Sequence, residues 1–458
     1  MRALFFRRHK RDAFRTGFRS TVLPLLAFSI PGTAYCQLLP EKPTPPAHLR
    51  GENGETLREK GSAITGALTY TSDLNADIAG GNQRGFAYLQ RVGLLGDVDL
   101  DRLVGWSGAA VHLGVHSIAG NGLSGLRVGN ILTVSGIEAE PALRLFNLWF
   151  QQQIGKRATL RVGQFTAGQE FVISNTASLF VNSTFGWPGS FASDLPSGGS
   201  AYPLAGPGVR LAVKAGETVN FKVGVFAGDP AGQGTGDPQR RDLHGFNGFR
   251  LKGAPFVIAE VRRSASGNDP AWSVTLGGWA HFDRFSDLRL DTDGQSLALP
   301  TSTGQPFSHR GDYAVYAIAD ARLWRSGSKE LNGFLRLTAS PSNRNPVDLY
   351  LDGGVSVTGL FKSRPNDVGG IGVAFARLSP SLRTLLKEQA ALAGQKVDLP
   401  SYEGVIEATY QLQIRSSFSI QPNVQLVLHP SASLLNGDPG APSSNRALVV
   451  GIRSALRL

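Results

Sequence analysis

Between residues 403 and 429 the chain alternates so regularly that only one local structure accommodates it. From Gly404, one parity holds Gly404, Ile406, Ala408, Tyr410, Leu412 and Ile414, and the other holds Val405, Glu407, Thr409, Gln411, Gln413 and Arg415. Side chains of an extended strand point alternately to opposite faces, so this is a strand with one apolar and one polar face. After Ser416 and Ser417 the pattern resumes, with Ile420, Pro422, Val424, Leu426 and Leu428 opposed by Ser419, Gln421, Asn423, Gln425 and His429. Two such strands around a short polar turn make a hairpin. Its polar face carries Gln, Asn, Thr and Arg rather than the Lys and Glu usual toward bulk water. That composition suits a water-filled interior, and the apolar face, with Tyr410 near one end, suits lipid.

The rest of the chain admits the same reading. No segment after the first 36 residues carries about 18 consecutive apolar residues, so a transmembrane helix is excluded there. In hydrocarbon, only a closed barrel then satisfies every backbone group. Gly 56 and Phe 25 beside Cys 1 and Met 1 fit a glycine- and aromatic-rich barrel better than a cytosolic enzyme. The chain opens with Arg2, Arg7, Arg8, Lys10, Arg11, Arg15 and Arg19, then an apolar run over 21–30 and small residues up to Cys36. This order predicts a secretory signal peptide over 1–36, cleaved after Ala34 or Cys36. Seven basic groups and one acidic group leave with it, so the formal net charge falls from +11 to +5. No basic stripe with interleaved aromatics remains to support a nucleic-acid partner. Cleavage after Cys36 leaves a chain without cysteine, compatible with an oxidising envelope compartment.

Residues 37–60 are polar and proline-rich and read as a periplasmic extension. From 61 to 458 the sequence offers sixteen strand candidates, from 61–75 to 446–458, with 134–155 among them and no linker splitting them. Short connections, such as Lys156 and Glu217, alternate with long ones at 167–206, 230–247, 287–310, 380–401 and 431–445; the short 341–346 is an exception. Short turns at one rim and long loops at the other describe an outer-membrane barrel. Residues 381–395 read as a helix inside one long loop. The last strand points Leu448, Val450 and Ile452 outward and Arg453 and Arg457 inward, since an arginine facing lipid at mid-membrane costs about 2–4 kcal/mol. The expected fold is therefore all-β, a transmembrane antiparallel β-barrel of about sixteen strands.

Several stretches resemble the carbohydrate-selective porins of the OprB family. They are 339–354 (ASPSNRNPVDLYLDGG), 359–367 (GLFKSRPND), 145–152 (LFNLWFQQ), Arg161 to Gly163, Gly277 to Trp279 with His281, and Tyr402 and Glu403 leading to Gln421, Pro422 and Gln425. The resemblance covers the chain after about Leu57. It implies a sixteen-stranded barrel of the bacterial outer membrane that passes mono- or oligosaccharides by facilitated diffusion. It also implies a long inward-folded loop at the constriction, lipid around the barrel, and assembly machinery that reads the C-terminal strand. Leu458 stands where such barrels usually end in an aromatic, and His429 precedes Pro430 where Asn is more frequent.

A sugar presents hydroxyls and a weakly apolar ring face, so a selective channel needs planar hydrogen-bonding groups and an aromatic plate at a narrow point. Parity turns Leu145, Asn147, Trp149, Gln151 and Gln153 inward, making Trp149 beside two amides the preferred plate or else a packing tryptophan. Trp279 with His281 is a second candidate. Arg91 and Arg161, facing Asp97 and Asp99 in the lumen, are candidate hydroxyl ligands or simple wall charges. Loop 167–206, with Glu170 and Asp194, is the candidate constriction. No catalytic, cofactor or metal-ligand signature is present; the GxGxxG match at 120–125 lacks the helix and acidic residue of a dinucleotide site. Three alternatives stay open: a general or anion-preferring porin using Arg91, Arg161, Arg210 and Lys214, a barrel enzyme, and a secreted soluble β-protein.

Overall fold

The alternating stretches become sixteen antiparallel strands closed on themselves, in sequence order around the barrel. The computed structural model describes residues 62–246, 253–267, 269–437 and 444–458; the expected signal peptide and extension lie outside the described residues. The strands are β1 (Ile64–Gly80), β2 (Gly85–Asp99), β3 (Ala109–Gly120), β4 (Ala142–Ile154) and β5 (Ala158–Phe165). β6 (Gly206–Ala215), β7 (Val219–Ala227), β8 (Pro255–Ser264), β9 (Trp272–Asp291) and β10 (Pro306–Ser326) follow. β11 (Lys329–Ala339), β12 (Val347–Thr358), β13 (Val368–Leu378), β14 (Tyr402–Arg415), β15 (Phe418–Leu428) and β16 (Arg446–Arg457) complete the wall. β1 pairs with β16, Tyr70 opposite Leu456, and Leu68 and Leu458 exchange backbone bonds of 2.9 and 3.0 Å at the seam. Closure leaves no sheet edge unpaired, which is the condition for crossing hydrocarbon with strands.

The outer face is apolar: Leu94, Leu276, Val315, Leu335 and Ile371 are all exposed. Trp106, Trp324 and Phe361 near the short-turn rim, and Phe86, Phe282 and Tyr313 toward the other, give the two aromatic girdles of a membrane barrel. β9 and β10 have 20 and 21 residues, about twice the 9–11 needed to cross, so their hairpin projects beyond the bilayer. The helix Pro380–Leu392 packs Leu382 and Leu386 with Leu399 and Leu434 over the long-loop rim.

Three expectations need correction. Strand 134–155 begins only at Ala142; residues 121–141 form a second inward loop with a π-turn over Ser124–Val128. Its backbone is committed elsewhere, because the Ser124 N–H and hydroxyl donate to Glu138 at 3.1 and 2.9 Å. The expected loop 287–310 is shorter, since pairing continues to Pro306 opposite Asp291. A bulge in β4, where Gly114 and Val115 of β3 oppose Asn147 and Leu145, lets both Phe146 and Asn147 face inward. Below the bulge the expected parity holds; above it Arg144 and Phe146, not Leu145, are the buried positions.

Loop 166–205 folds into the barrel. Phe171, Val172, Phe191 and Leu195 pack against the wall residues Phe226, Phe256, Ile258, Trp279 and Tyr316. Leu132 and Val134 of loop 121–141, with Phe180 and Phe185, pack against inward Ala374, Val405, Val427, Ala447 and Val449. β13 admits this approach because it carries glycine there: a Cβ at Gly372 would stand 2.9 Å from both Phe180 and Phe185. The barrel's core is thus formed between loops and inner wall.

Candidate functional site

Two loop segments meet inside the barrel and pair. The Gly136 N–H donates to the Val181 carbonyl at 2.9 Å, and the Ser183 N–H to that of Thr133 at 3.0 Å. Wall residues hold them from behind. The Glu407 carboxylate accepts from the N–H groups of Val181 and Asn182 at 2.7 and 2.9 Å; Glu403 accepts from Ile131, Leu132 and Ser431 at 2.7 to 2.9 Å. Arg336 does the reverse, donating to the carbonyls of Val172, Thr184 and Phe185 at 2.9 to 3.1 Å while paired with Asp352. Buried backbone groups outside a sheet need such partners.

In front of these segments remains a cavity of about 260 Å³, near the low end of ligand-holding clefts, roughly 300–1,000 Å³. Its wall side is Thr69, Arg91, His116, Phe146, Asn147 and Arg453, and its loop side includes Gln169, Asn182, Trp187 and Tyr202. His116 stacks on Phe146 at 4.4 Å between centroids, and Tyr202 stands edge-on to Phe146 at 5.8 Å. The Arg91 guanidinium lies 5.3 Å from the Tyr202 ring centroid. The Trp187 Nε1–H donates to the Gly198 carbonyl at 3.0 Å, fixing a half-buried indole at the cavity edge. Asn147 is only 5% exposed, and its Oδ1 has no hydrogen-bond partner among the described residues.

The nine candidates of the sequence separate into three groups. Arg91 and Asn147 line the cavity. Trp149, Gln151, Arg161 and Glu170 gather instead into one buried block beneath the start of the inward loop. Glu170 pairs with Arg161 and, at 2.9 Å, with Arg210. The Gln151 side-chain oxygen accepts from both guanidiniums at 2.9 and 3.0 Å. His112 of β3 stacks on Trp149 at 4.9 Å, and Arg161 of β5 stands 3.7 Å from its ring centroid, so protein groups flank the indole from the strands on either side. Asp194, Trp279 and His281 form the third group, between loop and wall. Asp194 accepts from the Val347 N–H and the Ser340 hydroxyl, both at 3.2 Å; Trp279 packs against Phe191 and Phe256; the His281 Nε2 meets the Gly228 carbonyl at 2.9 Å.

The sequence assigned no site role to Trp187, Tyr202 or His116, all three of which line the cavity. It also assigned Glu407 and Gln425 to the lumen wall, where they are loop anchors. A signal was present: Val405, Val427 and Val449 interrupt the polar inward parity, as expected where something dry docks.

A closed barrel of sixteen strands, apolar outside and narrowed by loops inside, defines an outer-membrane porin. The chain belongs to the carbohydrate-selective porin, OprB family, whose model matches residues 83–458. Porin B of Pseudomonas aeruginosa is 24% identical over 433 residues, covering 87% of each chain. The high-pH structure of Pseudomonas putida OprB superposes with a TM-score of 0.75 at 22% identity, covering 86% of this chain and 94% of that one. The low-pH structure of the same protein gives 0.50 at 15% identity over 86% and 93%. The protein is a carbohydrate porin of the bacterial outer membrane, a channel rather than an enzyme.

Proposed function

We propose that sugars are selected in the cavity between Arg91 and Asn147 on the wall and Trp187 and Tyr202 on the loop. The observation that carries this is the lining itself: Asn147, a buried amide whose Oδ1 has no partner among the described residues, stands at the cavity beside aromatic rings and the Arg91 guanidinium. A hydroxyl entering there satisfies the amide, Arg91 donates to adjacent oxygens, and the rings cover the apolar face of the pyranose. The contacts are few, so release is not impeded. Glucose block of single-channel current tests it. Asn147→Ala weakens block about tenfold, the worth of one hydrogen bond of roughly 1.4 kcal/mol, and leaves open conductance unchanged. Unchanged block in a folded variant overturns the assignment.

A preference for anions is a second reading, favoured by one feature: Arg91 and Arg457 line the cavity with Arg453, which is paired with Asp73 at 2.7 Å, and no carboxylate is part of the lining. Of the cations first considered for it, Arg161 and Arg210 are neutralised by Glu170 and Lys214 is exposed near a turn. A reversal potential at the chloride limit without glucose block selects this reading. The finer partners follow the same logic. Lipid covers the outer apolar face, β16 carries the assembly signal, and residues 1–36 are removed at export; recovery of the chain without detergent argues against the first two.

A further inference from the structure

We infer that Glu407 and Glu403 are positioning residues of the eyelet: wall carboxylates that set the channel's width by gripping two loops through their backbone N–H groups. Five backbone N–H groups converge on the two carboxylates, four from these loops and that of Ser431 from the β15–β16 connection: Val181 and Asn182 on Glu407, and Ile131, Leu132 and Ser431 on Glu403. Both carboxylates are 0% exposed, so neither touches the solute path. Yet the gripped peptides do: Val181, Asn182 and the adjacent Phe180 and Ser183 form one side of the cavity.

The neighbouring strand completes the grip. The Asn182 side-chain N–H groups donate to the Gln425 oxygen and the Leu132 carbonyl, each at 3.0 Å, and Gln425 donates to the Val134 carbonyl at 2.9 Å. Gln421 donates to the Leu179 carbonyl at 2.7 Å. Because the two loops are bonded to each other at 133–136 and 181–183, a shift at either carboxylate moves both. Chemistry makes the carboxylate specific. Its two oxygens only accept, whereas glutamine offers one oxygen and one NH2. At Glu407 that NH2 faces an N–H, so the peptide must move away. The outcome for sugar rests on the selection cavity proposed above, but the grip itself is read by ion conductance alone.

The experiment compares Glu407→Gln, Glu407→Asp and Gln425→Leu with the parent, full chains in planar bilayers, with heat-modifiable migration as the check of barrel closure. Expected for E407Q is an open conductance changed by about twofold or more and glucose block weakened about tenfold, with E407D closer to the parent because the acceptor charge is kept. If E407Q does not close, Q425L, which leaves both carboxylates, shifts conductance in the same direction. A closed E407Q, or Q425L in its place, with the parent's conductance overturns the inference. If glucose fails to block even the parent, the selection cavity falls, and conductance still decides the grip.

Discussion

The two halves of the barrel interior use the same residues to opposite ends. On the side formed by β16 and β1 to β4, Arg91, Arg453 and Arg457 line the cavity. On the other side Arg161, Arg210 and Arg336 are at most 6% exposed and bind Glu170, Asp352 and loop carbonyls. Inward parity therefore means two things: facing solute, or facing a loop that has replaced solute. The difference is built from backbone chemistry. An irregular loop inside a barrel has no strand to pair with, so ionised wall groups supply both donors and acceptors. The first side also receives a loop, 121–141 against Ala447 and Val449, and pairs Arg453 with Asp73, yet it leaves Arg91 and Arg457 at the cavity wall.

The comparison breaks most visibly at Arg336. Arg336→Met leaves the buried Asp352 carboxylate without its cation, with the Tyr350 hydroxyl at 3.0 Å still beside it, and takes a donor from the carbonyls of Val172, Thr184 and Phe185. Removing one member of a buried pair costs about 3–5 kcal/mol, so we expect a lower unfolding temperature in detergent and a widened, noisy channel. A variant as stable and as narrow as the parent shows that the filled half does not depend on charge. Next comes the pair Arg91→Ala and Arg161→Ala. The first shifts the reversal potential toward cations with stability kept; the second costs stability, because Glu170 and Arg210 lose their arrangement, with little change of selectivity. Reversed effects exchange the two halves. Smaller still in its effect on the channel is the tryptophan pair. Trp187→Ala weakens glucose block by roughly fivefold, the scale of an aromatic contact of about 1 kcal/mol. Trp149→Ala acts on folding, at about 3–5 kcal/mol for a buried tryptophan.

This division explains what the sequence made legible. The wall was readable because strand parity is local: Ile406, Ala408, Val424 and Leu426 face outward wherever the loops go. The lipid penalty on Arg453 fixed one register without any tertiary knowledge. The loops were not readable, since Leu132 and Val181 acquire their partners from strands hundreds of residues away. Nothing in the flanking residues, Leu148 and Phe150 or Gly186 and Pro188, separates the roles of Trp149 and Trp187. Only the neighbours His112 and Arg161, brought in by β3 and β5, decide that the first is enclosed and the second borders the cavity. Parity itself failed locally where the β4 bulge put Phe146 inward. Glu403 and Glu407 look like lumen charges because their true partners are backbone amides, which no side-chain pattern records.

The smallest expected effect lies outside both halves and tests whether the division is complete. On the helix Pro380–Leu392, Glu388 accepts from Arg289 at 2.6 Å and from the Ser296 hydroxyl, and the Arg289 bond chiefly holds its carboxyl below the usual carboxylate value. A carboxyl whose folded pKa is depressed contributes stability above its ordinary pKa of about 4.3. That contribution disappears as pH falls through the folded value. The pair is partly exposed and worth about 0–1 kcal/mol, so it secures the outer helix and little else. We expect lower hydrogen-exchange protection factors over 380–392 in acid below that pKa, and the same loss of protection at neutral pH in Glu388→Gln. At neutral pH, E388Q should keep the parent's conductance and glucose block, because Glu403, Glu407 and Arg336 hold the eyelet, and the helix meets it through the apolar cluster that Ile131 joins, which E388Q leaves intact. A conductance shift in E388Q would mean that the outer rim also sets the channel, and that the wall grip alone does not define its width.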